Sequence, residues 1–162
     1  MIKKKTALAL LLMGVFAMQM SGQAAAADRS YVLPDTYDPN TSPPFSNGVV
    51  TKGTFYLAGH IGIDPATGQA PQDTDTETRL LLDAVKATLQ KGGLGMDELV
   101  SVTIYCTDLA LYDKFNAAYR GYFHGHFPAR AFIGVDRLVR GAHFEIAGIA
   151  VKSPKREAAA KK

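Results

Sequence analysis

Two segments with helical spacing, each flanked by segments that alternate like β-strands, constrain the fold more than any other feature of the chain. In residues 74–91 the apolar side chains recur every three or four positions, at Leu81, Leu82, Val85 and Leu89. Residues 111–123 repeat this spacing with Phe115, Ala118, Tyr119 and Tyr122. These aromatic side chains are expected in the core, so both helices are predicted to pack on a sheet.

Strand-like segments make up most of the remaining domain. They cover residues 48–52, 54–61, 100–107, 129–135 and 144–151. The predicted order is ββαβαββ, an α+β fold with two helices on one face of a sheet that is mainly antiparallel. The opposite face of such a sheet must also be covered, and partner subunits are the natural cover.

Local signals predict the ends of the first helix and the turn of a hairpin. Thr74 and Glu77 have the spacing of a capping box, in which their side chains would satisfy free backbone N–H groups at the helix start. Gly92 and Gly93 predict the end of this helix. Lys52-Gly53 predicts a tight turn between the first two strands.

The first 27 residues predict a secretory signal peptide. Three lysines at positions 3–5 precede an apolar run that ends near Met20, and residues 24–27 supply small side chains for cleavage. The run is shorter than the roughly 20 residues of a membrane span, although an uncleaved N-terminal anchor stays open as an alternative. Cleavage after Ala27 would leave 135 residues in a periplasmic or secreted protein with no membrane segment.

The mature chain is predicted to consist of a leader, one domain and a tail. Residues 28–42 form a polar, Pro-containing leader without a core of its own, residues 43–152 the domain, and residues 153–162 a tail. Without the three lysines of the signal peptide, 15 basic residues face 15 acidic ones, so no nucleic-acid partner is predicted. Cys106 is the single cysteine and cannot form an internal disulfide, so it is interpreted as a small core residue.

Arg130 lies at the start of the strand predicted for residues 129–135, where a guanidinium is less expected than on an exposed helix face. Its planar fork suits a carboxylate bound through two hydrogen bonds, so a carboxylate ligand is one interpretation. The other is a structural ion pair with a neighbouring Asp or Glu. Residue type alone favours the ion pair.

Glu145 interrupts the apolar strand predicted for residues 144–151, on the side opposite Phe144 and Ile146. Burial there would raise its pKa and suit the carboxyl group for proton transfer or for orienting a water molecule. Simple pairing with Arg130 or another base is the alternative. The residue types do not separate these two interpretations.

The histidines raise the question of a metal site. His124 and His126 are close in sequence, but the His-x-His spacing without an acidic or Cys partner is weak, so no metal and no cofactor are predicted. His60 is interpreted instead as a hydrogen-bond donor inside a ligand pocket.

Five short motifs occur in one order along the chain. They are Pro-Phe-Ser-Asn-Gly at 44–48, Phe-Tyr-Leu-Ala-Gly-His-Ile-Gly at 55–62, Asp-Pro-Ala-Thr-Gly at 64–68, Pro-Ala-Arg at 128–130 and Glu-Ile-Ala-Gly-Ile-Ala at 145–150. Together they resemble the Rid family of reactive intermediate deaminases, also called the YjgF family. The similarity runs from about residue 43 to residue 152 and includes Asn116 and Tyr119.

The resemblance implies a chorismate-mutase-like fold and a homotrimer with three sites at subunit interfaces. It also implies hydrolysis of 2-imino or enamine acids to 2-keto acids and ammonia, with no cofactor. Arg130 would bind the carboxylate of the substrate, and Glu145 would position the attacking water. The other residues implied in substrate binding are Phe45, Ala58, Gly59, His60 and Phe132.

Four of these positions depart from the usual pattern of the family. Phe45, Ala58, His60 and Phe132 stand where Tyr, Ser, Gln and Cys are common, so the pocket loses hydroxyl groups and gains bulk. The leading hypothesis is an imine deaminase, and the alternative is a non-catalytic trimer that binds a small carboxylate metabolite. An RNA-cleaving protein is disfavoured by the near-neutral charge and by export.

Overall fold

The computed structural model describes residues 28–153, so the predicted signal peptide and nearly all of the tail lie outside the described residues. The strands are β1 (Arg29–Val32), β2 (Gly48–Thr51), β3 (Thr54–Ile61), β4 (Leu99–Cys106), β5 (Ala129–Gly134) and β6 (Phe144–Val151). The helices are α1 (Thr74–Lys91) and α2 (Tyr112–Arg120), and short 3-10 helices occur at Met96–Glu98, Leu109–Leu111 and Val139–Gly141. None of the described helices is long and apolar enough to span a bilayer.

The six strands form one sheet in the order β1-β2-β3-β6-β4-β5. β4 and β5 pair in parallel, and every other neighbouring pair is antiparallel. Both helices pack on one face of the sheet, so the predicted α+β fold is confirmed. β6 lies between β3 and β4, which joins the N-terminal hairpin to the second half of the domain.

The core lies between α1, α2 and the sheet. The four leucine and valine side chains that predicted α1 have no exposed surface, and they share one cluster with Phe55, Ile104 and Ile146 from the strands. Burial of each such side chain contributes roughly 1.5–3 kcal/mol. The apolar stripe of α1 therefore holds the helix against the sheet.

The hairpin turn predicted at Lys52-Gly53 is confirmed. Both residues have positive φ, 47° for Lys52 and 77° for Gly53, and Thr51 pairs directly with Thr54. A turn with both central residues in the left-handed region is of type I′, and its twist matches the twist of the two strands that it joins.

Four residues of the predicted leader form a strand that periodicity did not indicate. β1 pairs antiparallel with β2, with Tyr31 opposite Val49, and of its four side chains only Val32 is buried. A strand this short at the sheet edge is ordered by backbone pairing, and it needs no apolar alternation of its own.

The bounds predicted for the first helix are confirmed, but its capping residue and the end of α2 differ from the predictions. Asp73 caps α1, with its carboxylate accepting the backbone N–H of Thr76 at 3.0 Å, so the capping box predicted to end at Glu77 is wrong. Glu77 is buried, and its carboxylate has other partners. α2 ends at Arg120 rather than Phe123, because the N–H groups of residues 121–123 bond to carbonyls three residues back, as in a tightened turn.

Candidate functional site

Arg130 lies on the helix-packed face of the sheet. The parallel register of β4 and β5 places Arg130 beside Val102 and Phe132 beside Ile104. Side chains in register point to the same face of a sheet. Because Val102 and Ile104 are buried in the core, Arg130 and Phe132 face α2.

Aromatic rings surround the Arg130 guanidinium. Its Cζ lies 5.0 Å from the ring centroid of Tyr119 and 5.6 Å from those of Tyr112 and Phe132. Its Nη2 donates to the Tyr112 hydroxyl at 3.3 Å. No Asp or Glu of residues 28–153 forms an ion pair with Arg130, so cation–π contacts, rather than the structural ion pair that residue type favoured, hold the guanidinium.

A cavity of about 190 Å³ lies beside this guanidinium, and we call it the arginine pocket. Its lining residues are Tyr112, Asn116, Tyr119, Arg120, Phe127, Pro128 and Arg130. Guanidinium, amide and hydroxyl donors among aromatic rings suit a small anion with an apolar part. The pocket can therefore bind a carboxylate.

Glu145 lies on the opposite, helix-free face of the sheet. It pairs in register with Ile61 of β3 and Tyr105 of β4, while its neighbours Phe144 and Ile146 enter the core. Partial burial raises the pKa of the Glu145 carboxyl group above its ordinary value, as the sequence predicted. Such a group can accept or return a proton near neutral pH more readily than an exposed glutamate.

Glu145 borders a second cavity of about 590 Å³, which we call the glutamate pocket. Its lining residues are Pro43, Phe45, Ala58, Gly59, Ile61, Ile63, Val139, Arg140 and Glu145. Most of this surface is apolar, with Glu145 and Arg140 as the charged groups. A Cβ atom at Gly59 would overlap the Glu145 carboxylate, so glycine is required where the backbone of β3 approaches that group.

A pH-dependent stability difference is expected for Glu145→Gln. Since the folded pKa of Glu145 is raised above its ordinary value of 4.5, the ionised carboxylate destabilises the folded state at high pH, and this penalty disappears below that value. The variant should therefore unfold at a higher temperature than the wild type at pH 7 and at nearly the same temperature at pH 4. Thermal unfolding across this range tests the prediction, and a stability gain at pH 7 that persists unchanged at pH 4 would contradict it. The exposed Asp113→Asn is the control.

A β-bulge places the two ends of β3 out of phase. Leu57 lies opposite Gly148 of β6, and His60 lies opposite Ile146. The chain thus advances three residues in β3 but two in β6, so β3 contains one extra residue. Leu57 and His60 therefore both point to the helix side, and Ile61 points with Glu145 to the free side.

The bulge turns the His60 ring away from the glutamate pocket. Its Nδ1–H donates to the Ala58 carbonyl at 2.8 Å, and its Nε2 accepts from the Thr88 hydroxyl of α1 at 2.9 Å. Burial lowers the pKa of His60. The structure thus does not bring His60 into the pocket where the sequence placed it, and His60 instead ties β3 to α1.

The predicted site residues fall into two groups on opposite faces of the sheet. Arg130 and Phe132 face α2, whereas Phe45, Ala58 and Gly59 join Glu145 in the glutamate pocket. Phe45 and Phe132, both implied in substrate binding, therefore do not share a pocket within one subunit. A small ligand could contact both groups only if two subunits supplied them.

Sequence reasoning missed the role of Glu77. Its fully buried carboxylate accepts the backbone N–H of His143 at 2.7 Å and of Phe144 at 3.0 Å. Its second oxygen accepts from the His143 ring at 2.6 Å. These bonds fix the start of β6, directly before Glu145. The sequence did contain an indication of this role: Glu77 precedes Leu81 by one helical turn, so both side chains lie on the face of α1 that packs on the sheet.

The chain matches the family model described as Endoribonuclease L-PSP over residues 36–152. It is 35% identical over 112 residues to the 2-iminobutanoate/2-iminopropanoate deaminase of Escherichia coli (strain K12), covering 67% of this chain and 88% of that protein. It is 33% identical over 124 residues to the mouse (Mus musculus) protein of the same name, covering 76% and 92%.

A solved structure shows the same fold. The crystal structure of E. coli TdcF with bound serine superposes with a TM-score of 0.68 at 29% identity, covering 76% of this chain and all of that one. The family model and the relatives agree with the motifs found along the sequence. The chain therefore belongs to the endoribonuclease L-PSP family, which is the Rid or YjgF family that those motifs resemble.

Proposed function

We propose that this protein hydrolyses 2-imino acids to 2-keto acids and ammonia, at sites built between the subunits of a homotrimer. The observation that carries the proposal is Arg130, a guanidinium stacked among aromatic rings beside a cavity, with no carboxylate partner among residues 28–153. A guanidinium with free donors in such surroundings binds a carboxylate strongly. Relatives named as 2-iminobutanoate/2-iminopropanoate deaminases support the choice of substrate class.

The two pockets together contain the groups that the reaction needs, and we propose that neighbouring subunits bring them together. In a ring of three subunits, each arginine pocket would meet the glutamate pocket of the next subunit, so that three equivalent sites form. The helix-free face of the sheet carries exposed Tyr56 and Ile149, and subunit contact would remove such apolar surface from water.

The proposed chemistry uses no cofactor. Arg130 holds the substrate carboxylate, and Glu145 orients a water molecule toward C2 of the C=N bond. As the water oxygen adds to C2, Glu145 accepts a proton from the water and passes it to the nitrogen. Glu145 then carries the hydroxyl proton of the carbinolamine to its amino nitrogen, and as the C=O bond forms the C–N bond breaks, which releases ammonia and the 2-keto acid.

The name of the family model mentions RNA cleavage, but a small carboxylate is the better substrate for this chain. The segment after residue 27 carries equal numbers of acidic and basic residues, and nucleic-acid binders usually carry a basic excess. Export to the periplasm or medium belongs to the same proposal and depends on residues 1–27.

Turnover is tested with the chain from residue 28 and 2-imino acids formed in situ by an amino-acid oxidase. We expect 2-keto acid to appear faster than by spontaneous hydrolysis. If neither small nor aromatic imino acids are hydrolysed faster, while 2-keto acids still bind, the protein is a non-catalytic carboxylate binder and the proposed hydrolysis is wrong.

Mixed trimers test whether two subunits build each site. Subunits with Arg130→Ala and subunits with Glu145→Gln, each nearly inactive alone, are mixed in equal amounts and reassembled. In a cyclic trimer every mixed assembly regains one intact site, so random mixing should restore about a quarter of the wild-type activity. Each variant carried alone through the same reassembly is the control. Assembly of mixed trimers without any recovery would mean that the two residues do not act across an interface.

A further inference from the structure

The hydroxyl of Tyr119 is buried without a hydrogen-bond partner among residues 28–153. The side chain of Tyr119 is 3% exposed. Other tyrosines of α2 and its flanks have partners: the Tyr122 hydroxyl donates to Asp83 at 2.9 Å, and the Tyr112 hydroxyl accepts from Arg130. An unpaired buried hydroxyl is destabilising, so a function is the natural explanation for keeping it.

The Tyr119 side chain is part of the lining of the arginine pocket. Tyr119 lines the pocket together with Arg130 and with Asn116, which precedes it by three residues on α2. The Arg130 guanidinium lies over the Tyr119 ring, 5.0 Å from its centroid. The phenol and the guanidinium therefore lie beside the same small cavity.

Neighbouring rings fix the position of the Tyr119 side chain. Its ring centroid lies 4.7 Å from that of Phe123, 5.7 Å from that of Phe115 and 6.3 Å from that of Phe127. Burial raises the pKa of Tyr119 to about 12, so the phenol keeps its proton at neutral pH. It is a rigid donor with its hydrogen available.

We infer that the Tyr119 hydroxyl donates a hydrogen bond to the carboxylate held by Arg130, as a further substrate-binding residue. The inference rests on the proposed function, because it concerns the same ligand. A carboxylate has about four lone-pair positions, and the guanidinium fork uses two of them. A third donor from α2 fixes the rotation of the carboxylate, which in turn directs C2 of the ligand toward the neighbouring subunit's glutamate pocket.

Tyr119→Phe tests the inference, with titration of 2-oxobutanoate, the product of 2-iminobutanoate hydrolysis, as the binding probe. Loss of a hydrogen bond to a charged group should raise Kd about tenfold to a hundredfold. The melting temperature should stay the same or rise, because the variant removes a buried hydroxyl that has no partner in the free protein. Tyr122→Phe is the matched control. It should lower the melting temperature, since its hydroxyl is bonded to Asp83, and leave Kd unchanged.

The outcomes separate this inference from the proposed hydrolysis. If the wild type hydrolyses imino acids and Tyr119→Phe leaves both Kd and KM unchanged, the inference about Tyr119 is wrong and the proposed function stands. If Tyr119→Phe weakens binding but the wild type shows no turnover, the carboxylate site stands and the hydrolysis is wrong. A loss of melting temperature in Tyr119→Phe together with unchanged binding would assign the hydroxyl a structural role and overturn the inference, as would a wild type that does not bind 2-oxobutanoate.

Discussion

Replacing Arg130 with alanine is expected to lower kcat/KM for 2-imino acids by about 100-fold or more. Removing one member of a desolvated charge pair costs about 2–5 kcal/mol of binding free energy. No other residue of β5 can replace the guanidinium. Steady-state kinetics on the purified variant, with its trimeric state checked, measure the effect. The loss should appear mainly in KM if Arg130 only binds the carboxylate, and also in kcat if it aligns C2 for attack.

Two further substitutions sharpen this test. Arg130→Lys keeps the positive charge but not the planar fork, so its activity should lie between those of the wild type and the alanine variant. Arg79→Ala removes an arginine from the exposed side of α1 and should leave kcat/KM unchanged. Equal losses in the Arg130 and Arg79 variants would mean that general charge, rather than carboxylate binding by Arg130, supports activity.

Replacing Glu77 with alanine is expected to lower the free energy of unfolding by about 3–5 kcal/mol. This is the usual loss when one member of a buried charged pair or of a buried hydrogen-bond network is removed. The substitution leaves the N–H groups of His143 and Phe144 without their carboxylate acceptor inside the protein. Chemical denaturation at matched protein concentration measures the difference.

The controls for Glu77 distinguish hydrogen bonding from charge. Glu77→Gln keeps an oxygen that can accept both backbone N–H groups. Its free energy of unfolding should therefore fall clearly less than that of the alanine variant. Asp75→Ala, in the same first turn of α1 but outside the core, should change stability by less than about 1 kcal/mol. An alanine variant at position 77 as stable as Asp75→Ala would show that the buried bonds contribute little.

The elements of this fold could be predicted wherever local periodicity and burial agree. The stripe of α1 and the alternation of β4 have such patterns, and both elements lie where the sequence placed them. β1 could not be found in this way, because its pairing with β2 orders it and its side chains are mostly exposed. The central position of β6 and the parallel pairing of β4 with β5 depend on contacts distant in sequence, which periodicity does not report.

The sequence singled out candidate site residues but did not predict how they are arranged. Arg130 and Glu145 stood out because charged residues interrupt apolar strands. Their opposite faces follow from strand register, which no local pattern encodes. The partners of Glu77 and of the Tyr119 hydroxyl group could not be predicted for another reason. Glu77 fits the pattern of a capping box and Tyr119 that of an aromatic core, and neither pattern says which hydrogen bonds the side chain makes.

The bulge in β3 holds one extra residue, so that Ala58 and Gly59 both line the glutamate pocket while the strand on either side keeps its pairing with β6. Deleting one of these two residues would leave two residue steps opposite two, so His60 would still lie opposite Ile146 and Ile61 opposite Glu145. The later side chains of the strand would keep their directions, and the backbone beside the Glu145 carboxylate would change. Through evolution, a one-residue change in length at this point can therefore alter the binding surface without exchanging it for the inside of the domain, whereas a slip of the pairing by one residue would exchange them.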